Sequence, residues 1–242
     1  MITGFVAGAT GLTGRAVVSS LTRHGARAVA HVRPDSARLN EWRHQLGASG
    51  AEVDATPWDE AAMRASFERL RPTHVFGCLG TTRARAKTAA RDGRDPGRES
   101  YEAVDVALTE LVLRCAKSVG VTRFVYLSSI GAGGSGGNAY LAARTKVEAT
   151  LRASGVPYTI ARPSFIVGDR EKERASERTF GAIADAGLRV VGALGGRGVR
   201  DRYRSITGEQ LGEALVLMAL DPAWENRIAE GADLQAISAP AR

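Results

Sequence analysis

Three glycines at a spacing of three, Gly8, Gly11 and Gly14, stand in a run of small and hydroxylated residues near the start of the chain, Gly8-Ala9-Thr10-Gly11-Leu12-Thr13-Gly14. Such a run lets backbone N–H groups approach an anion closely. Between a strand and a helix, the first glycine takes the tight turn and the second admits a pyrophosphate where a Cβ would otherwise stand. The third lets the helix pack closely on the sheet. The unpaired N–H groups and the positive dipole end of the helix then face the phosphates. Glycines also serve turns and caps for structural reasons alone, so the flanking sequence decides. Here residues 2–6 form an apolar strand, and a helix follows through His24. Dinucleotide binding by residues Gly8 to Gly14 is the reading this context supports, with a bare structural turn as the alternative.

Which dinucleotide is a question of charge. An acidic residue about 20 positions after the glycines accepts hydrogen bonds from a ribose 2′-hydroxyl and repels a 2′-phosphate. The second predicted strand, residues 28–32, instead ends at Arg33-Pro34. A guanidinium there suits the 2′-phosphate of NADP. The expectation is therefore NADP(H) in preference, with NAD(H) also admissible because Asp35 stands two residues on. An ordinary solvated arginine is the competing reading of Arg33.

The elements that position these residues alternate along the chain. A polar helix over 36–46 precedes a short strand at 52–56, a helix at 59–70 and a strand at 73–79. An arginine-rich connection, 83–98, leads to a helix at 100–118, where Val104, Leu108, Leu111, Val112 and Cys115 recur at helical spacing. A strand at 123–128 is followed by a segment with five glycines among residues 131–138, a helix at 139–153 and a strand at 157–161 that stops at Arg162-Pro163. Strands separated by helices pair in parallel through right-handed crossovers, which predicts an α/β Rossmann-type doubly wound sheet over 1–242, with helices on both faces. Ligands of such sheets sit beyond the carboxyl ends of the strands. Leu79-Gly80-Thr81, Ser128-Ser129, and Pro163 with Phe165 are thereby placed beside the glycine turn. Residues 164–205 form the expected substrate-side insertion, where Phe165 and Ile166 either wall a pocket or belong to the core.

Composition narrows the function classes. A chain of 242 residues can bury a substantial core as one domain. No apolar run reaches the roughly 20 residues of a membrane helix, and the first strand begins at the N-terminus without a leader, so a cytoplasmic protein is expected. Cys78 and Cys115 lie in apolar stretches and read as core residues, and His24, His31, His44 and His74 show no ligand spacing, so no metal is expected. The net charge of +7 comes largely from arginines clustered in 83–98, 170–178 and 197–204, segments that read as loops. Few aromatics accompany them and no nucleic-acid-binding motif appears, which leaves a solvated basic surface or an anionic cofactor as their partner.

The Gly8, Gly11, Gly14 spacing, Tyr126-Leu127-Ser128-Ser129, Tyr140 and the Arg162-Pro163 strand end together resemble the atypical short-chain dehydrogenases/reductases with an NAD(P)-binding Rossmann fold. Cys78-Leu79-Gly80-Thr81-Thr82-Arg83, Gly168-Asp169-Arg170-Glu171 and the tail over 230–237 are similar to the NmrA-like branch that includes the Tat-interacting-protein-like oxidoreductases. The resemblance spans nearly the whole chain. It implies a tyrosine, Tyr140, that exchanges a proton with a substrate oxygen, and a serine, Ser129 first and Ser128 next, that positions that oxygen. It also implies a lysine four residues after the tyrosine, which lowers the phenol's pKa and grips the nicotinamide ribose. A free phenol titrates near pH 10, so a neighbouring cation matters.

The sequence departs from that pattern at the cation. Four residues after Tyr140 stands Arg144, and the nearest lysine, Lys146, is six residues on. At 3.6 residues per turn, four places keep a residue on the tyrosine's face and six turn it away. Arg144 keeps the charge, but a planar fork does not replace a compact ammonium. Two classes follow: an NADP-dependent oxidoreductase acting on a carbonyl or alcohol through Tyr140, Ser129, Ser128 and Arg144, or an NADPH-binding regulatory or interaction protein with little turnover. The expected partners are a small-molecule substrate and no membrane, with the chain a monomer or a homodimer joined through helix 100–118 or 208–220.

Overall fold

The computed structural model describes residues 1–93, 95–134, 138–167 and 205–238, with only the backbone of Arg83 and Arg85. Seven strands build one parallel sheet: β1 (Thr3–Ala7), β2 (Arg27–His31), β3 (Glu52–Asp54), β4 (His74–Gly77), β5 (Arg123–Leu127), β6 (Tyr158–Arg162) and a last strand, Arg227–Glu230. Their order is β3-β2-β1-β4-β5-β6 followed by that last strand. The chain works outward from β1 to β3, then crosses back to β4 on the other side of β1. This is the Rossmann-like α/β fold, and the reversal between β1 and β4 opens a crevice at their carboxyl ends.

Alternation along each strand sorts the core into two layers. Val6, Phe76, Val125 and Ala161 point to one face, against α1 (Leu12–Arg23) and α2 (Leu39–Ala48). Phe5, Val75, Phe124 and Ile160 point to the other, against α3 (Glu60–Leu70), α5 (Leu108–Val119) and α6 (Ala139–Ala153). Register keeps large residues adjacent, with Phe5 beside both Val29 and Val75, and Val75 beside Phe124. Helix starts carry their own signals. Asp59 accepts from the Ala62 N–H and Asn138 from the Leu141 N–H, each satisfying one of the donors a helix start leaves open.

Several expectations are corrected. The stretch 83–98 is not a loop: α4 (Arg83–Arg91) and a 3₁₀ turn (Pro96–Glu99) occupy it. Its alanines favour helix as strongly as its arginines and lysine tolerate it, and Ala89 is fully buried. The helix expected at 100–118 begins as a π-helical stretch, Tyr101–Ala107, capped by the Ser100 hydroxyl, before α5 proper. Beyond β6, the pair β7 (Ile166–Val167) and β8 (Ile206–Thr207) forms a separate small sheet. Then come α7 (Gly208–Leu220), the seventh sheet strand β9 (Arg227–Glu230) and α8 (Gly231–Ile237). Of these, only the helix over 208–220 was expected. Most of the substrate-side region, including 170–178 and 197–204, lies outside the described residues.

Helix α7 packs on α1 at very short range. A Cβ on Gly208 would meet Leu12 Cγ at 2.7 Å, and one on Gly212 would meet the Ala16 backbone at 2.6 Å. The helix that follows the glycine turn is thus braced from outside by two further glycines.

Candidate functional site

The three glycines of the turn prove to be required for different reasons. Gly8 has φ +87°, and a Cβ there would meet the Cys78 carbonyl oxygen at 2.5 Å, so both its conformation and the approach of β4 demand glycine. A Cβ on Gly14 would fall far inside 3.0 Å of the Gly8 carbonyl, a backbone atom that cannot move aside. Gly11 differs from both. It is the N-cap of α1 with φ −74° and ψ 166°, an ordinary extended conformation, and a Cβ there meets only the Gly8 oxygen at 3.3 Å. The protein itself does not exclude a side chain at Gly11. No side chain caps α1, so the N–H groups of its first turn have no side-chain acceptor. Such a helix start fits a pyrophosphate; of the remaining loop residues, Thr10 is partly exposed and Ala9 is fully buried.

Arg33 follows β2 at the same end of the sheet, and its side chain is 39% exposed. Its Nη1 donates to Glu99 Oε1 at 3.3 Å, and its Nε lies 3.6 Å from Asp35 Oδ1. Nearby, the guanidinium of Arg38 stacks over Trp42 at 4.7 Å and that of Arg15 at 5.8 Å.

Tyr140 and Arg144 are brought together as their spacing on α6 requires. Arg144 Cζ lies 5.1 Å from the Tyr140 ring centre, and Tyr101 flanks the same ring at 5.6 Å between centroids. Arg144 itself is buried, and its terminal nitrogens serve protein groups. Nη1 donates to the Leu79 carbonyl at 3.2 Å, the Tyr126 hydroxyl at 3.1 Å and the Leu127 carbonyl at 2.8 Å. Nη2 donates to the Leu79 carbonyl at 3.2 Å and pairs with Asp105 Oδ1 at 2.9 Å. One side chain thus ties the ends of β4 and β5 to α6. Burial opposes its charge, yet Tyr140, Tyr126 and Asp105 hold its pKa above the ordinary arginine value. Burial, in turn, pushes the Tyr126 phenol up to about 12, against the pull of Arg144. Lys146 points away and pairs with Glu102 at 2.5 Å.

The loop after β4 is shaped by the same group. A Cβ on Gly80 would meet Arg144 Nη2 at 2.9 Å, and the Thr81 N–H donates to Asp105 Oδ2 at 3.0 Å. Leu79 and Thr81 are buried while Gly80 is exposed. The two serines part company. Ser128 is buried and its hydroxyl donates to Glu148 Oε1 at 2.6 Å. Glu148, fully buried, also receives Arg162 at 2.6 Å and Arg152 at 2.7 Å. Burial would raise its pKa, but Arg162, Ser128 and Arg152 keep it below the usual carboxylate value. The Ser129 hydroxyl makes only a 3.4 Å contact to the Ile130 carbonyl and is half-buried. Ser128 belongs to a structural cluster, and the Ser129 hydroxyl stands outside it. Pro163 is buried and receives the Ile130 N–H at 2.9 Å, and the Phe165 carbonyl receives the Ile206 N–H at 2.9 Å.

Sequence reasoning missed Asp105, Glu99 and Glu148. Glu148 had a signal, since it lies four residues beyond Arg144 on the buried face of α6. Asp105 had one as well, a carboxylate in the apolar helical stripe. Glu99 had none.

A family model for NAD(P)H-binding proteins matches residues 8–186. The chain belongs to the NAD(P)H-binding family. Among curated relatives, the Debaryomyces hansenii protein FMP52, mitochondrial, is 27% identical over 221 residues, covering 90% of this chain and 88% of its own. The Aspergillus oryzae protein fmp52-1, mitochondrial, is 29% identical, covering 73% and 71%. Among solved structures, the UDP-Glc/GlcNAc 4-epimerase of Campylobacter jejuni superposes with a TM-score of 0.69 at 14% identity, covering 98% of this chain and 82% of that one. The triphenylmethane reductase of Citrobacter sp., complexed with NADP(H), gives 0.59 at 16% identity, covering 94% and 68%. These likenesses establish the fold shared with epimerases and reductases. They also correct the compartment: the curated relatives are named as mitochondrial proteins, and the expectation of a cytoplasmic protein does not stand against that. No helix among the described residues is long and apolar enough to cross a membrane, and these residues hold no cluster of metal-ligating side chains.

Proposed function

We propose that this NAD(P)H-binding protein is an NADP(H)-dependent oxidoreductase that interconverts a small carbonyl compound and its alcohol. The observation that carries the reading is the pairing of Tyr140 with the buried Arg144 cation at the carboxyl edge of the sheet, beside the glycine turn. The reduced nicotinamide, when bound, supplies the hydride. Tyr140 Oη gives the proton to the carbonyl oxygen, with the Arg144 guanidinium beside its ring. The Ser129 hydroxyl orients the same oxygen. The loops after β4 and β6, carrying Leu79, Gly80, Thr81, Pro163 and Phe165, would hold the nicotinamide end of the cofactor. The finer placement, among Tat-interacting-protein-like oxidoreductases, rests on the Cys78 to Arg83 segment. NADP(H) over NAD(H) rests on Arg33.

One observation favours a second reading, a cofactor-binding protein with little turnover. Both terminal nitrogens of Arg144 are engaged by Leu79, Leu127, Tyr126 and Asp105, so Arg144 cannot also grip the ribose as the family lysine does. Its role in the first reading is accordingly electrostatic and positioning. Loss of NADPH absorbance with a panel of small aldehydes, ketones and quinones separates the readings. Turnover that Tyr140→Phe abolishes, with NADPH affinity kept within about twofold, is the result expected. NADPH binding without turnover by the wild type would transfer support to the second reading.

A further inference from the structure

Arg33 is not waiting empty-handed for a phosphate. The two carboxylates that hold it differ in kind. Asp35 is a neighbour in sequence with a side chain 78% exposed, and its pair at 3.6 Å is screened by water. Glu99 arrives from the 3₁₀ turn after α4, is only 9% exposed in its side chain, and pairs with Arg33 at 3.3 Å. In such a setting charge interactions are stronger and solvent compensates less. Its backbone is pinned, because its carbonyl accepts from the Thr81 hydroxyl at 3.1 Å. The turn thus holds the Glu99 carboxylate against Arg33.

We propose that Glu99 sets the cofactor selectivity of the adenosine end: its carboxylate competes with a 2′-phosphate for Arg33. This rests on the NADP(H) reading given above. A phosphate monoester carries about −1.5 to −2 charge near neutral pH. To reach Arg33 it must displace Glu99 from the guanidinium and then lie beside that carboxylate. A ribose 2′-hydroxyl brings no charge and leaves the Arg33–Glu99 pair intact. Glu99 therefore weakens NADP(H) and spares NAD(H), and the preference given by Arg33 alone is reduced by its partner. The pair makes the protein tolerant of both dinucleotides.

The test is the dissociation constant of NADPH and of NADH, read by cofactor fluorescence on the full chain, for wild type, Glu99→Gln and Asp35→Asn. Glutamine keeps the shape and one acceptor while removing the charge. Glu99→Gln should tighten NADPH by about tenfold, the equivalent of one charge-assisted contact regained, and change NADH by less than twofold. Asp35→Asn should move NADPH by no more than about twofold at physiological salt. Should Glu99→Gln fold poorly, Glu99→Asp, which withdraws the carboxylate by one methylene, should give a smaller gain of the same sign. An unchanged NADPH to NADH ratio overturns the proposal. So does a selective loss of NADPH, which would make Glu99 a residue that orients Arg33 for the phosphate. If wild type binds neither nucleotide, the cofactor reading itself fails, and the proposal falls with it.

Discussion

Replacing Gly11 and Gly14 one at a time separates a ligand-dictated glycine from a fold-dictated one. At Gly11 the backbone is already in a conformation open to any residue, and a Cβ meets a single oxygen at 3.3 Å. Gly11→Ala gains about 0.4–1 kcal/mol from a stiffer unfolded chain and loses about as much as a poorer N-cap. The melting temperature should move by no more than about 2–4 °C, the shift that about 1 kcal/mol produces in a domain of this size. At Gly14 the added Cβ collides with the Gly8 carbonyl, so the helix start or the turn must shift. A backbone collision of this depth should cost about 3 kcal/mol or more, lowering the melting temperature by roughly 6–12 °C. Binding should respond in a different order. Gly11→Val places a branched side chain where the pyrophosphate would approach the α1 N–H groups, and should abolish NADPH fluorescence enhancement in a protein that melts near the wild-type temperature. Scanning fluorimetry with and without NADPH reads both quantities in one experiment. A Gly11→Val protein that binds NADPH with wild-type affinity would refute the ligand-based account of Gly11. A Gly14→Ala protein of unaltered stability would refute the steric one.

Two other expectations follow from charge. Arg144→Lys exchanges a fork for a single ammonium with three donors, so at least one of the four acceptors around it loses its partner in a buried site. That should cost about 1–3 kcal/mol and lower the melting temperature by roughly 2–12 °C, and an unaltered melting curve would contradict the clamp described here. Glu213 on α7 is held against α1 by Ser20 at 2.8 Å, Arg23 at 2.6 Å and His24 at 2.7 Å. Burial opposes its ionisation, but these partners bring its pKa down to about 2. Since the unfolded carboxyl titrates near pH 4.3, its stabilisation is complete above that value and is lost as pH falls toward 2. Wild type should lose stability over that window more steeply than Glu213→Gln, and parallel melting-temperature profiles would count against the contact.

The alternation of strands and helices was legible because each βα unit in the first half carries a redundant signal: an apolar strand, a turn residue at its end and a helix of suitable length. The helix over 139–153 was legible to the residue, since Asn138 caps it and Gly155 follows it. What escaped has a common cause. The arginines of 83–91 masked a helix because charge was weighed above the alanines between them. The strand Arg227–Glu230 is four residues long, begins with Arg and ends with Glu, and owes its place to pairing with β6. Short edge strands are defined by their neighbour, and no local pattern announces them.

The site was legible as a set of positions and illegible as a set of partnerships. Tyr140 and Arg144 share a face of α6 by spacing alone, and Lys146 points elsewhere for the same reason. Whether Arg144 was a catalytic cation or a structural one depended on Asp105, Leu79, Tyr126 and Leu127, residues as many as 65 positions away. The same holds for the serines. Ser128 and Ser129 are neighbours in sequence and alternate faces at the strand end, so one meets the buried Glu148 and the other does not. A helix position four beyond the tyrosine that in the family holds the ribose here holds the sheet ends together. The enzyme reading therefore requires that Tyr140 work beside a cation that never leaves its structural post, and that the ribose be held by backbone groups around Leu79 and Gly80.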